Sequence, residues 1–103
     1  MMLDDDIDEL NNIIKDKNYV LKFYANWCKN CHTINDNLNQ YCTNNNCLLV
    51  SIDIDDNQSI MEHYGITKLP TIIINSIENK FEGATNINNY LDSFMKIDIN
   101  EDF

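Results

Sequence analysis

An apolar run, Tyr19-Val20-Leu21-Lys22-Phe23-Tyr24, gives way to Trp27-Cys28-Lys29-Asn30-Cys31, and there the apolar spacing changes from that of a strand to that of a helix. Beyond Cys31, the residues Ile34, Leu38, Tyr41 and Cys42 recur on one helix face. Two cysteines with two residues between them close a disulfide, bind a metal or exchange thiols. Their setting decides which. At a strand-to-helix junction a cysteine lies near backbone N–H donors and the positive end of the helix dipole. Both favour the thiolate, which is the nucleophile of disulfide exchange. The stretch points first to a redox dithiol.

The chain has 103 residues, 44% of them apolar, which is enough for one domain with a single core and no staples. Only 2 Gly and 1 Pro argue against a many-turned all-β fold or a disordered chain. A formal charge of −10 repels nucleic acid and anionic membranes, so neither is an expected partner. Met1-Met2-Leu3-Asp4-Asp5-Asp6 lacks a basic segment followed by a long apolar one, so no secretory signal is expected. No apolar run approaches membrane-spanning length. The expected location is the reducing cytoplasm, where paired cysteines are more often catalytic or metal-binding than structural.

Along the chain, Asp4 to Asp6 suit a helix start, and Ile7, Leu10, Ile13 and Ile14 mark one face of a first helix ending near Lys17. The strand Tyr19 to Tyr24 precedes the cysteines, and the second helix runs to about Thr43. Cys47 to Ile54 reads as a second strand, after the loop Asn44-Asn45-Asn46. Asp55 to Gln58 open a short helix through Tyr64, with Gly65 at its C-terminal cap. Thr71 to Asn75 and Lys80 to Glu82 form a hairpin. Thr85 caps a last helix carrying Ile87, Tyr90, Leu91 and Phe94 inward, and residues 98–103 form a fraying acidic tail. Strands alternating with helices predict right-handed parallel crossovers, with an antiparallel edge added by the hairpin.

The sequence resembles the thioredoxin family along nearly its whole length. The resemblance is carried by Phe23-Tyr24-Ala25-Asn26-Trp27-Cys28-Lys29-Asn30-Cys31, Ile52-Asp53-Ile54-Asp55, Tyr64-Gly65-Ile66, Leu69-Pro70-Thr71 and Phe81-Glu82-Gly83-Ala84. It implies an α/β thioredoxin fold over 1–103, with a mixed central sheet of four strands, or five if Met1 to Leu3 add one, and helices on both faces. It also implies that Cys28 attacks, that Cys31 resolves, and that the Leu69–Pro70 bond is cis in a loop facing the cysteines. Trp27, Lys29, Asn30, Leu69, Pro70, Thr71 and Gly83 are then the expected substrate-binding residues. Read alone, Trp27 is as consistent with ordinary packing.

Four departures stand out. Lys29-Asn30 replaces the usual Gly-Pro, the first strand is reduced or absent, and the hairpin after Pro70 looks short. The buried acid six residues before the first cysteine is replaced by Lys22, and its partner lysine falls at Ser51. Lys22 is read either as a catalytic residue, stabilising the Cys31 thiolate or taking its proton, or as a lysine that snorkels to solvent. Strand parity makes Asp53 its expected partner. A lowered Cys28 pKa, helped by Lys29, predicts a couple more oxidising than about −270 mV.

Cys42 and Cys47 flank the Asn-rich loop. Cys42 lies roughly 16 Å along the helix from Cys31, too far for one shared zinc. It reads as a small buried hydrophobe and Cys47 as a strand start, the alternative being a regulatory disulfide between them. His32 and His63 read as surface residues, with His32 placed to tune Cys31. No metal or other cofactor is expected. The leading reading is a monomeric oxidoreductase that reduces disulfide-containing client proteins and is recharged by a thioredoxin-reductase-like partner. The alternatives are a more oxidising relay or isomerase-like protein fed by a sulfhydryl oxidase, and a non-catalytic binding module or metal carrier.

Overall fold

The computed structural model describes residues 4–100, and side chains through Ser93. Helix α1 spans Ile7–Ile14, strand β1 Tyr19–Tyr24, a 3-10 turn Cys31–Ile34, α2 Asn35–Asn44 and β2 Leu48–Asp53. Then come α3 (Gln58–His63), β3 (Thr71–Ile74), β4 (Lys80–Glu82) and α4 (Ala84–Asn100). The sheet order is β2-β1-β3-β4. Strand β1 is parallel to β2, with Lys22 opposite Ser51, and antiparallel to β3, with Phe23 opposite Thr71.

The parallel crossovers expected throughout therefore hold only between β1 and β2. The connection over residues 54–70, which includes the six-residue α3, delivers the chain to the end of the sheet where β2 stops, and β3 starts there, antiparallel to β1. That end is also the one from which the cysteine segment leaves β1, and Pro70, just before Thr71, reaches the same end.

Parity along β1 divides the core. Leu21 and Phe23 pack with Val50, Ile52 and Ile73 against Leu10 and Ile14 of α1 and Ile60 of α3. On the other face Val20, Ile72 and Ile74 meet Ile34, Leu38 and Cys42 before Ile87 and Leu91 of α4. Lys22 lies on this second face and is 9% exposed.

The caps are specific. Asp6 accepts N–H bonds from Asp8 and Glu9 at the start of α1. Asp5 crosses to α3 and accepts from Ile60 N–H (3.0 Å) and Ser59 N–H (3.1 Å), the first above all pulling its carboxyl below the ordinary value. Buried Asn57 accepts from Asp5 N–H at 2.9 Å and donates to Asp53 O at 2.9 Å. Gly65 ends α3 at φ +64°, its N–H reaching Glu62 O while Ile66 N–H reaches Met61 O, each at 3.1 Å. Those are the two bonds of a Schellman cap. Asn46 (φ +54°) ends α2 in the same way, with Cys47 N–H donating to Cys42 O at 2.9 Å.

Several expected boundaries move. Helix α1 stops at Ile14, β2 begins at Leu48 rather than Cys47, β3 ends at Ile74, and the helix expected from Asp55 starts at Gln58. The second helix opens as a 3-10 turn and becomes α-helical only at Asn35. Thr85 is not a cap: α4 begins at Ala84, and Ile87 N–H bonds Gly83 O at 3.0 Å. The helix continues through residues 98–100, which were expected to fray. The supposed first strand at Met1 to Leu3, the side chain of Phe94 and residues 101–103 lie outside the described residues. Among the described residues, no helix is long and apolar enough to cross a membrane.

Candidate active site

Cys28 and Cys31 are joined as a disulfide, with Cα atoms 5.5 Å apart. Strand β1 ends at Tyr24, and Cys28 N–H folds back onto Ala25 O at 3.1 Å, which turns the chain off the sheet edge. The carbonyl of Asn30 then accepts both the N–H (3.2 Å) and the hydroxyl (2.7 Å) of Thr33, starting the helical run at Cys31. The outcome is asymmetric: Cys28 is half-buried, whereas Cys31 is only 3% exposed. One sulfur is open to attack from outside and the other is shielded from it. Lys29 and Asn30, between them, point into solvent.

Beside Cys28 lies a groove of about 420 Å³ lined by Trp27, Ile54, Met61, Ile66 and the 67–69 loop. Trp27 is 65% exposed, which makes it a rim residue rather than core packing. Its indole N–H donates to Asp55 Oδ2 at 3.0 Å, which anchors the ring while leaving a face open. Met61 and Ile66 supply apolar wall on the far side. The groove is a place for an extended apolar segment to lie against the reactive sulfur.

The Leu69–Pro70 bond is cis. Leu69 is half-buried in the groove wall, while Pro70 is buried and its carbonyl accepts Gly83 N–H at 2.8 Å. Gly83 adopts φ +87°, which a side chain would strain, so glycine there lets β4 hold the proline loop closely. Thr71 is fully buried and its hydroxyl donates to Lys68 O at 2.6 Å. Of the loop residues expected to bind substrate, Leu69 therefore lines the groove; Thr71 and Gly83 shape the loop from behind.

A second, smaller cavity of about 210 Å³ lies under the cysteines, lined by Lys22, Tyr24, Cys28, Cys31, His32 and Asn35. Lys22 donates from Nζ to Asn35 Oδ1, and its ammonium sits 4.9 Å from the centre of the Tyr24 ring. Burial alone pushes its pKa down. The expected Asp53 partner is not used: the Asp53 carboxylate instead accepts Asp55 N–H at 3.0 Å. Snorkelling is corrected too, because the head group is held against Asn35 rather than carried into bulk water.

Cys42 and Cys47 are free thiols, the first buried and the second half-buried. The structure thus does not contain the second disulfide weighed from the sequence. His63 packs edge-on against Tyr64, and among the described residues no three His, Cys, Asp or Glu are gathered as metal ligands.

Sequence reasoning missed Asn35, Asp55, Met61 and Ile66. Asn35 stands four residues after Cys31, a helical spacing that could have placed it under that sulfur. Asp55 carried no comparable signal, since its bond to Trp27 joins two loops.

Comparison with known proteins agrees with this geometry. The family model described as Thioredoxin matches residues 3–97. A thioredoxin of Echinococcus granulosus is 35% identical over 71 residues, covering 67% of this chain and 66% of its own. Thioredoxin-T of Drosophila melanogaster is 28% identical over 71 residues, covering 67% and 45%. The chain thus spans about half to two thirds of the length of these relatives. The crystal structure of a reduced thioredoxin pre-protein from Schistosoma mansoni superposes with a TM-score of 0.73 at 26% identity, covering 93% of each chain.

Proposed function

Because this chain belongs to the thioredoxin family, we propose that it is a thiol–disulfide oxidoreductase acting on disulfides of client proteins. The observation that carries the reading is the asymmetry of the pair: Cys28 open beside an apolar groove, Cys31 shielded, and the two within bonding reach. The reduced enzyme attacks with the Cys28 thiolate, forming a Cys28–client bond and expelling one client sulfur as thiolate. Cys31 then loses its proton to water and attacks Cys28, which releases the second client sulfur and leaves the Cys28–Cys31 disulfide. Two electrons pass to the client.

The groove holds the client next to Cys28, with Trp27 and Leu69 as its walls and the Pro70 loop opposite the sulfur. Lys29 and Asn30 form the exposed edge that a client passes. A thioredoxin-reductase-like partner returns the electrons, and the protein works as a monomer in the cytoplasm, a reducing compartment that keeps such a pair in its dithiol form. A more oxidising relay is the second reading, favoured by the buried Lys22 cation beneath the pair and by Lys29 between the cysteines. In either case the potential is expected to lie above about −270 mV.

Reduction of insulin by dithiothreitol tests the reading. The wild-type protein should accelerate it, and Cys28→Ser should return the rate to that of dithiothreitol alone. Equal rates for the two proteins would defeat the reading.

A further inference from the structure

We propose that the Lys22 ammonium, held by Asn35 beneath the cysteine pair, stabilises the sulfur anion created on reduction and thereby makes the couple more oxidising. This rests on the exchange reading above. A buried ammonium is costly unless something compensates it. In the disulfide form Lys22 has a neutral amide, Asn35 Oδ1, and the face of the Tyr24 ring. Neither carries a formal charge.

The rest of its surroundings offers little more. Across β2 it faces Ser51, and across β3 it faces Ile72. The titratable groups nearby are the phenol of Tyr24, His32 from the helical run, and Asp53, which lies two pairs along the register, on the same sheet face, with its carboxylate engaged by Asp55 N–H. Both cysteines line the same small cavity as Lys22. Asn35, one helical turn after Cys31, ties the lysine to the segment that carries the shielded sulfur.

Reduction changes this balance. The disulfide takes up two electrons and, near neutrality, one proton, which leaves one thiol and one thiolate. The anion appears in a partly desolvated cavity that already contains a cation, where attraction exceeds that in water. Only the reduced state gains it, so the dithiol is favoured over the disulfide. During resolution Cys31 passes its proton to water, and Lys22 keeps its own throughout. Lys22 touches no client atom; it is a positioning residue that acts through the sulfur charge.

Two measurements test this. In the wild-type protein with 13C-labelled lysine, NMR titration of Lys22 should give a higher midpoint in the dithiol form than in the disulfide form, because stabilisation between two charges is reciprocal. An unchanged midpoint overturns the proposal without any variant having to fold. In glutathione equilibria, Lys22→Met should shift the dithiol-to-disulfide ratio about ten-fold toward the disulfide, about 30 mV, with Lys22→Arg within about two-fold of wild type. A Lys22→Met ratio within two-fold of wild type, or Lys22→Arg behaving like Lys22→Met, also overturns it. A wild-type protein inactive toward insulin defeats the exchange reading, whereas an active one with a flat Lys22 response defeats only this inference.

Discussion

Cys42 and Cys47 share a chain with the Cys28–Cys31 pair, yet the fold leaves them as free thiols away from the groove that Cys28 borders. Burial, and then the neighbouring Cys47, push the Cys42 thiol up to about 11, and burial raises Cys47 as well. Since the thiolate is the nucleophile, alkylation of the reduced protein at pH 8 should modify Cys28 first and Cys42 last. Peptide mapping over time would check this, and equal rates at the two sites would contradict it. The same shift has a stability consequence. An unfolded Cys42 releases its proton near 9.0, while the folded one holds it to about 11, so its contribution is intact below pH 9 and declines as pH rises toward 11. Tyr41, pushed up to about 12 mainly by burial, adds a loss of the same sign between pH 10 and 12. Thermal melts should therefore show Tm falling above pH 9, and falling less in Cys42→Val.

Among the elements, the two Schellman caps make the clearest case. Gly65 sits at φ +64°, and a Cβ there would meet only Lys80 Nζ at 3.7 Å, an ordinary contact, so the cost of Gly65→Ala is backbone strain. That strain is about 1–2 kcal/mol, or a Tm drop of roughly 4–16 °C in a domain of this size, measurable by urea or thermal unfolding. The cap itself was legible, because a glycine closing an apolar-periodic segment is a strong local signal. So were the strands and the cysteine turn, each written in adjacent residues, whereas the cis proline loop was legible only through the family resemblance. The direction of β3 was not, since alternating strands and helices give the order of elements but not the end of the sheet from which a strand sets out. Nor were the bonds Asp5–Ile60, Trp27–Asp55 and Lys22–Asn35, made between residues whose meeting is set by packing alone. Lys22 announced itself by its place in an apolar strand, but parity offered Asp53 as its partner. The helix that crosses that face supplied Asn35 instead.

For the whole molecule, two core layers on one sheet bring three chain segments to a single edge: the end of β1, the start of β3 and the turn into α4. Ile52 is fully buried in the layer under α1 and α3, and Leu91 in the layer under α2 and α4. Ile52→Ala and Leu91→Ala should each cost about 2–5 kcal/mol. Because the sheet separates them, their effects should add in the double variant, as urea unfolding can show. The net charge of −10 opposes compaction by self-repulsion, which salt screens. Tm should accordingly rise between low and moderate ionic strength.

In the proposed exchange, client disulfides are attacked by Cys28 and released by Cys31. Incubating the reduced Cys31→Ser variant with a disulfide-bonded protein such as insulin tests it most directly. A covalent adduct should accumulate at Cys28, dissolve in dithiothreitol and not build up with wild-type protein. An adduct that fails to form, or that forms at Cys42 or Cys47, would contradict it.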